Sequence, residues 1–412
     1  MALVFFRHSR SGRASASPLA LHRRLLTGEA AERALFEGGP PTGLQTALGL
    51  MAPERPNILL RIVLAVAIGW VPLLVFTALQ SAILSDGSLR AFLTDYAVMG
   101  RSLVAVPLLI LAEKICLPRL SGIASYIRDS GLVRAADAET FDRALKSTLR
   151  LRDSLRLEIA VVTIAAAILV TAYVTVPMNI FPSWYRLHGN GAVSPAGWWH
   201  ALVSIPVLII LLLGWVWRLA LWTRFLWLVS RLSLRIVAAH PDKACGLKFL
   251  GMSVPAFSIV AFAVGIIIAG TITNRVVHDG ASLLSFRYLV SGFDILCLIL
   301  FVSPLFAFSG QLTEAWRRGS QEYGALAQRV GQEMELRWLN RDVDAQALAA
   351  SDFSATTDLY SIVANVNTIN VVPVSLRQML MLAIGAVLPF VPIILVSVPP
   401  QVLWQKFSSL LF

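Results

Sequence analysis

His240-Pro241-Asp242-Lys243 is the densest cluster of chemically useful side chains in this sequence. An imidazole, a carboxylate and an ammonium so close together can bind an anion or carry protons, because histidine titrates near neutral pH and its neighbours tune it. The same residues can also simply shape a turn. Pro241 fixes φ and disfavours a helical His240. A helix carrying Leu232, Leu234, Ile236 and Val237 is therefore expected to stop at about Ala239. Asp242 would then cap free backbone N–H groups, and Gly246 would supply a positive φ before the chain turns back.

A second set of candidates lies in apolar surroundings. Asp294 stands in Phe293-Asp294-Ile295-Leu296, the one carboxylate well inside an apolar run. Counted from Tyr288 it is about six residues deep, roughly 9 Å. A charge at that depth must face other helices or water and find a partner. Arg101 is the expected partner, and Arg287, on the same helical face, competes for it. Such a pair can relay ions or protons, or can be a structural ion pair, and Asp294 can also be a neutral, hydrogen-bonded acid. Glu113, beside Lys114, lies at the inner end of the Arg101 segment, on the side where His240 is also expected.

The elements that position these residues are membrane helices. Mean hydropathy is +0.71 and only 14% of residues are charged, against about a quarter in a soluble domain. The apolar residues cluster into runs long enough to cross about 30 Å of hydrocarbon. The fold class is all-α, a polytopic bundle of about seven spans near 60–84, 98–117, 159–178, 198–220, 254–273, 288–309 and 379–399. Five of these contain proline (Pro72, Pro107, Pro206, Pro304, and Pro389 with Pro392), which frees backbone carbonyls for a site or for a neighbouring helix.

Orientation follows from basic residues. With odd-numbered spans running outward, all 35 Lys and Arg fall inside except Arg90, Arg101, Arg186, Arg275, Arg287 and Lys406. The N-terminus is then cytoplasmic and the C-terminus outside. The net charge of +11 serves topology and anionic lipid at the cytoplasmic face, which removes the argument for nucleic acid. Trp184, Trp198 and Trp199 are expected at the outer interface, and Trp215, Trp217, Trp222 and Trp227 at the inner one.

Cys116, Cys245 and Cys297 form no CxxC pair and suit neither zinc nor a disulfide framework. They are expected as free thiols, Cys245 the most exposed. No metal and no cofactor is expected. The chain contains no GxxxxGK[ST], GxSxG or HExxH, and no GxGxxG after a strand.

His-Pro-Asp resembles the loop of J-domain co-chaperones, but that loop needs soluble helices on both sides, and here a membrane segment follows. A wider resemblance rests on His240, Pro241, Asp242, Lys243, Ala244, Gly246 and Leu247. These are similar to a His-Pro-Asp-(Lys/Arg)-Ala-Gly-Gly-Leu signature in a family of uncharacterised bacterial polytopic inner-membrane proteins. Val106 to Glu113, Thr357-Asp358-Leu359, and Val372-Pro373 to Phe412 resemble the same family. The chain departs from the signature at Cys245, where the family has Gly. The resemblance implies an architecture and a bacterial inner membrane, and no chemistry.

The chain divides into a flexible basic tail (1–57), a six-span bundle (58–309) with a cytoplasmic insertion (118–158), a cytoplasmic helical segment (310–378), and a seventh span with an interfacial end helix (379–412). Arg7, Arg10, Arg13, Arg23 and Arg24, with no acid before Glu29, also have the composition of a transit peptide. The bacterial resemblance favours a cytoplasmic tail beside anionic lipid. Phe141, Leu145 and Leu149 mark an amphipathic basic helix, for lipid or for another inner segment. Arg341-Asp-Val-Asp344 is expected to end the 310–339 helix, and Asp352, Thr356, Thr357, Asp358 and Tyr360 to follow as a polar stretch; its paired aspartates can bind a divalent cation, but the EF-hand pattern is absent and helix capping is the expected role.

Three functions fit. The first is transport or permeation of a small solute or ion. The second is a non-catalytic scaffold or sensor acting through 310–378. The third is an interfacial lipid-modifying enzyme using His240 and Asp242. A homo-oligomer is compatible with each.

Overall fold

A computed structural model describes residues 58–152, 154–175, 182–187, 192–338 and 351–397. The basic tail, the Arg341–Asp344 helix end and the C-terminal interfacial helix lie outside the described residues. The described chain is helical, with a single β-bridge between Arg186 and Val193. The longer helices are α1 (Ile58–Gly69), α2 (Val71–Leu84), α3 (Val106–Asp129), α4 (Ala138–Arg152), α5 (Leu155–Thr175), α6 (Ile205–Val229), α7 (Ser258–His278), α8 (Arg287–Val302), α9 (Ser309–Trp338), α10 (Ser351–Asn367) and α11 (Leu376–Val387).

Among the described residues five helical stretches are long and apolar enough to cross a membrane: Ile58–Leu84, Pro195–Val229, Lys248–His278, Leu283–Leu336 and Leu376–Leu395. Two expected spans are not among them. Helix α3 carries Glu113, Lys114, Arg119, Arg128 and Asp129. In α5 the apolar part, Ile159–Thr175, is shorter.

The prolines have local structural consequences. Pro72 has no N–H to give Ile68 O, its i−4 carbonyl. The Trp199 indole Nε1 donates to Ile68 O instead, at 2.9 Å. Beside it, Ser204 Oγ donates to Gly69 O at 2.6 Å. The carbonyl that Pro72 frees thus welds two helices. Pro107 and Pro206 each follow a π-helical turn, Gly100–Ala105 and His200–Ser204. Widening a turn beside a proline relieves the missing bond. Each π turn is entered from a short capped helix: Asp95 accepts from Val98 N and Ser194 from Gly197 N. Cap and proline are equally far apart in the two copies, a local pattern repeated on two helices.

Helix α3 lies in the centre, packed against α1, α6 and α7. Helix α7 presents small residues to its neighbours, which lets backbones approach closely where lipid gives no hydrophobic drive. A Cβ on Gly270 would stand 2.7 Å from Tyr96 O, and one on Gly265 2.8 Å from Ala386 O.

The loops gather at two ends. At one end Gln80 Nε2 donates to Arg186 O, Trp184 Nε1 to Asp95, Asn274 Nδ2 to Asp95, and His278 Nε2 meets Thr94 O. At the other, Arg128 pairs with Asp142, Arg224 donates to Ser147 and Thr148, and Arg235 N donates to Leu132 O. There also Gln311 Nε2 donates to Ser230 O and Leu232 O, and Asn370 N to Lys243 O. The first end holds the segments expected outside, the second those expected inside. Helices α3 and α5 connect one end to the other.

Several expectations need correction. Helix α6 ends at Val229, not Ala239, and Leu232 to Val237 are irregular. Trp184 is fully buried rather than interfacial, and Trp215 and Trp222 are buried too, while Trp198 and Trp227 are about half exposed as belt residues are. Helix α4 buries Phe141 and Leu145 and sets Phe141 against Phe225 of α6, ring centroids 6.0 Å apart, so it packs on protein. Asp352, Thr356, Thr357, Asp358 and Tyr360 lie within α10 rather than in a capping stretch. Helix α9 continues α8 through a 3-10 stretch at Ser303–Phe308.

Candidate functional site

Glu113 is the hinge of a buried ionic cluster. Its helix, α3, is covered on both flanks. Arg61 reaches it from the first turn of α1 and Arg218 from α6. Arg61 Nη1 donates to Glu113 Oε2 at 2.7 Å, and Arg218 Nη2 donates to Oε1 at 2.8 Å. The three side chains are 3%, 8% and 2% exposed for Arg61, Glu113 and Arg218. Trp215 supports the assembly: its ring lies under the Arg218 guanidinium, 5.1 Å from its centroid, and its Nε1 donates to Leu109 O at 3.0 Å.

The cluster is not self-sufficient. Two guanidinium groups face one carboxylate, a formal excess of one positive charge. Arg61 Nε and Nη2 and Arg218 Nε and Nη1 are buried without a hydrogen-bond partner among the described residues. A buried charge without full compensation is costly, and each orphan donor adds to that cost. What the arrangement can do chemically is accept an anion, the species that answers both the charge and the donors.

A second buried polar centre lies at the opposite end. Asp95 is 3% exposed. It accepts from Trp184 Nε1 at 3.0 Å, Asn274 Nδ2 at 2.8 Å and Val98 N at 3.1 Å. Asn274 Oδ1 in turn accepts from Tyr96 N at 2.8 Å. Arg101, in the π turn just beyond, acts electrostatically with Asp95 and with the buried His200 of the other π turn.

The expected Asp294–Arg101 pair does not form. Arg101 Nε donates to Ala97 O at 3.1 Å, and Arg287 donates to the Tyr288 hydroxyl at 2.9 Å. Asp294 Oδ1 is buried with no hydrogen-bond partner among the described residues, and the adjoining Ile295 and Leu296 are exposed. The physical reason is competition: Arg101 acts on Asp95, the cap of the short helix that leads into its π turn, and Arg287, although on the Asp294 face of α8, gives its guanidinium to the neighbouring Tyr288. A relay through Asp294 has no next group among the described residues. Glu113 and His240 are not brought together either, since Glu113 is taken by the two arginines.

The His240 loop is a carboxylate-centred turn. Asp242 Oδ1 accepts from Ala244 N at 2.9 Å and Gly246 N at 3.1 Å, and Oδ2 accepts from Lys248 N at 3.1 Å. His240 Nδ1 lies 2.8 Å from Oδ1. Burial alone would raise the Asp242 pKa; the three N–H donors and His240 outweigh it and hold the carboxyl below its usual value. The loop's carboxylate stabilisation is therefore complete above the ordinary aspartate range and is lost as pH falls through the lowered folded value. Lys243 is exposed, and its carbonyl anchors Asn370.

Cys245 has φ +56°, between Lys243 at +57° and Gly246 at +92°. A side chain there carries about 1–2 kcal/mol of left-handed strain, so glycine suits the position. Contrary to expectation Cys245 is buried, as are Cys116 and Cys297, all three free. Burial, with Asp242 nearby, pushes the Cys245 thiol up to about 11, so it should resist alkylation at neutral pH. Cys245→Gly is expected to melt at or above Cys245→Ala, although alanine keeps more of the side chain. A clearly more stable alanine variant would contradict the strained turn.

Sequence reasoning missed Arg61, Arg218, Asp95, Trp184 and Asn274 as members of buried centres. A signal existed for two of them. Arg61 stands alone in Ile58-Leu-Leu-Arg-Ile-Val-Leu and Arg218 in Trp215-Val-Trp-Arg-Leu-Ala-Leu, both at the inner depth of Glu113. Lone charges at equal depth are expected to meet. Comparison with known protein families, with curated proteins and with solved structures finds no match.

Proposed function

We propose that this chain is a seven-span protein of the bacterial inner membrane that passes small anionic solutes, with its N-terminus cytoplasmic and its C-terminus periplasmic. The single observation that carries the reading is the Arg61–Glu113–Arg218 cluster, with its excess charge and orphan donors inside the bundle. The seven-span count is supported by α3 and α5, which run between the two ends. Helix α3 tolerates its charges because three helices shield it from lipid. Arg101 and Glu113 then lie on one helical run, roughly 18 Å apart at 1.5 Å per residue, so that Arg101 stands near one mouth and the net-positive Arg61–Glu113–Arg218 cluster near the other. The inner cluster is closed on every side, so passage requires α1 or α6 to part from α3.

Flux into proteoliposomes tests it. Chloride, nitrate and acetate should enter faster than into protein-free vesicles, and potassium should not. Vesicles no more permeable to any small anion than protein-free ones would remove the reading.

One observation favours a second reading, the scaffold. Helix α9 extends the Leu283–Leu336 stretch well past bilayer thickness, and Trp316, Leu326 and Leu336 are exposed along it. Under that reading wild-type vesicles show no flux. The lipid-modifying enzyme is disfavoured by Asp242, whose oxygens are occupied by the loop's own N–H groups, so that using it as a base would undo the turn.

A further inference from the structure

A groove of about 1050 Å³ opens between α3, the 248–255 turn and the start of α11, at the end that gathers the basic loops. Arg119, Lys248 and Arg377 line it, and no acidic residue does. None of the three cationic side chains forms an ion pair among the described residues. Beside the charges the wall is apolar: the Tyr126 and Phe249 rings meet edge to face at 4.6 Å, and Met381 continues the surface along α11. Tyr126 and Met252 are exposed by 52% and 59% where the groove opens.

Three unpaired cations argue for an anion. The apolar wall argues against a free ion, which gains nothing from an aromatic pair and a methionine. Polar charge at one level and apolar surface beside it, at the edge of a membrane bundle, match a lipid whose headgroup lies at the interface and whose chains continue into hydrocarbon. We propose that this groove binds the headgroup phosphate of an anionic phospholipid of the cytoplasmic leaflet. Arg119, Lys248 and Arg377 take the charge, and Tyr126, Phe249 and Met381 lie along the first part of the acyl chains. The proposal is independent of solute passage.

The purified full-length protein, in detergent, is titrated with phosphatidylglycerol, phosphatidylcholine or inorganic phosphate, and melting is followed. Phosphatidylglycerol should raise the melting temperature saturably, and the other two should not. With about fivefold in affinity per basic residue near the surface, the combined Arg119→Gln, Lys248→Gln, Arg377→Gln variant should bind roughly a hundredfold more weakly. Gly122→Trp keeps every charge and fills the groove: a Cβ there meets nothing within 4 Å, so the variant should fold and lose the shift. Undiminished shifts in both variants would overturn the site. An equal shift with inorganic phosphate alone would overturn the lipid.

Discussion

Glu113→Ala is expected to destabilise the protein by about 3–5 kcal/mol, the usual effect of breaking a buried ion pair. It leaves two guanidinium groups buried against one another with no counter-charge. Arg218→Met should do less harm, because Glu113 keeps Arg61 at 2.7 Å and the remaining pair is neutral. Replacing all three residues with apolar ones should restore most of the loss, because well-packed apolar residues commonly match a buried ionic cluster in stability. Equilibrium unfolding in mixed micelles measures all of these. If Glu113→Ala is no worse than Arg218→Met, the carboxylate is not the hinge of the cluster.

Asp95→Ala is the second large effect. It strips the acceptor from Trp184 Nε1, Asn274 Nδ2 and Val98 N at once. At about 1–3 kcal/mol for each buried donor left unmade, a total loss of 3 kcal/mol or more is expected. Asp95→Asn should fall between, since one amide oxygen replaces two carboxylate oxygens and its NH2 opposes a donor. The indole Nε1–H NMR resonance of Trp184 gives a local readout, because that group donates to Asp95. An unshifted Trp184 resonance in Asp95→Ala would mean that water or a neighbour replaces the carboxylate.

Some of this was legible in the residues alone. Apolar runs announced the five helical stretches that, among the described residues, are long and apolar enough to cross a membrane, and basic asymmetry sorted the loops into two groups that the fold does collect at two ends. Asp242 was readable as a turn-forming acceptor because its partners lie within six residues along the chain. Long-range partners were not readable. The end of α6 carries no glycine or proline; the carbonyls just past it, of Ser230 and Leu232, are met by Gln311, some eighty residues away. Pro241 was therefore credited with a stop it does not make. Trp184 reads as a belt residue until Asp95 is found beside it. Arg61 and Arg218 each satisfied the topology rule singly, which hid the fact that they share Glu113. Asp294 shows the reverse: its depth in an apolar run argued for a partner, and none of the described residues supplies one.

The measurement that bears most directly on the central claim is the anion-to-cation permeability ratio of proteoliposomes holding wild type, Glu113→Gln or Arg218→Gln at matched folded abundance. Neutralising Glu113 takes the formal cluster charge from one positive to two, and neutralising Arg218 takes it to zero. If anions pass the cluster, the ratio rises in the first variant and falls in the second, on either side of wild type. Identical ratios in all three proteins, or wild-type vesicles that leak no more than empty ones, would contradict the account and leave the cluster a structural tie between α1, α3 and α6.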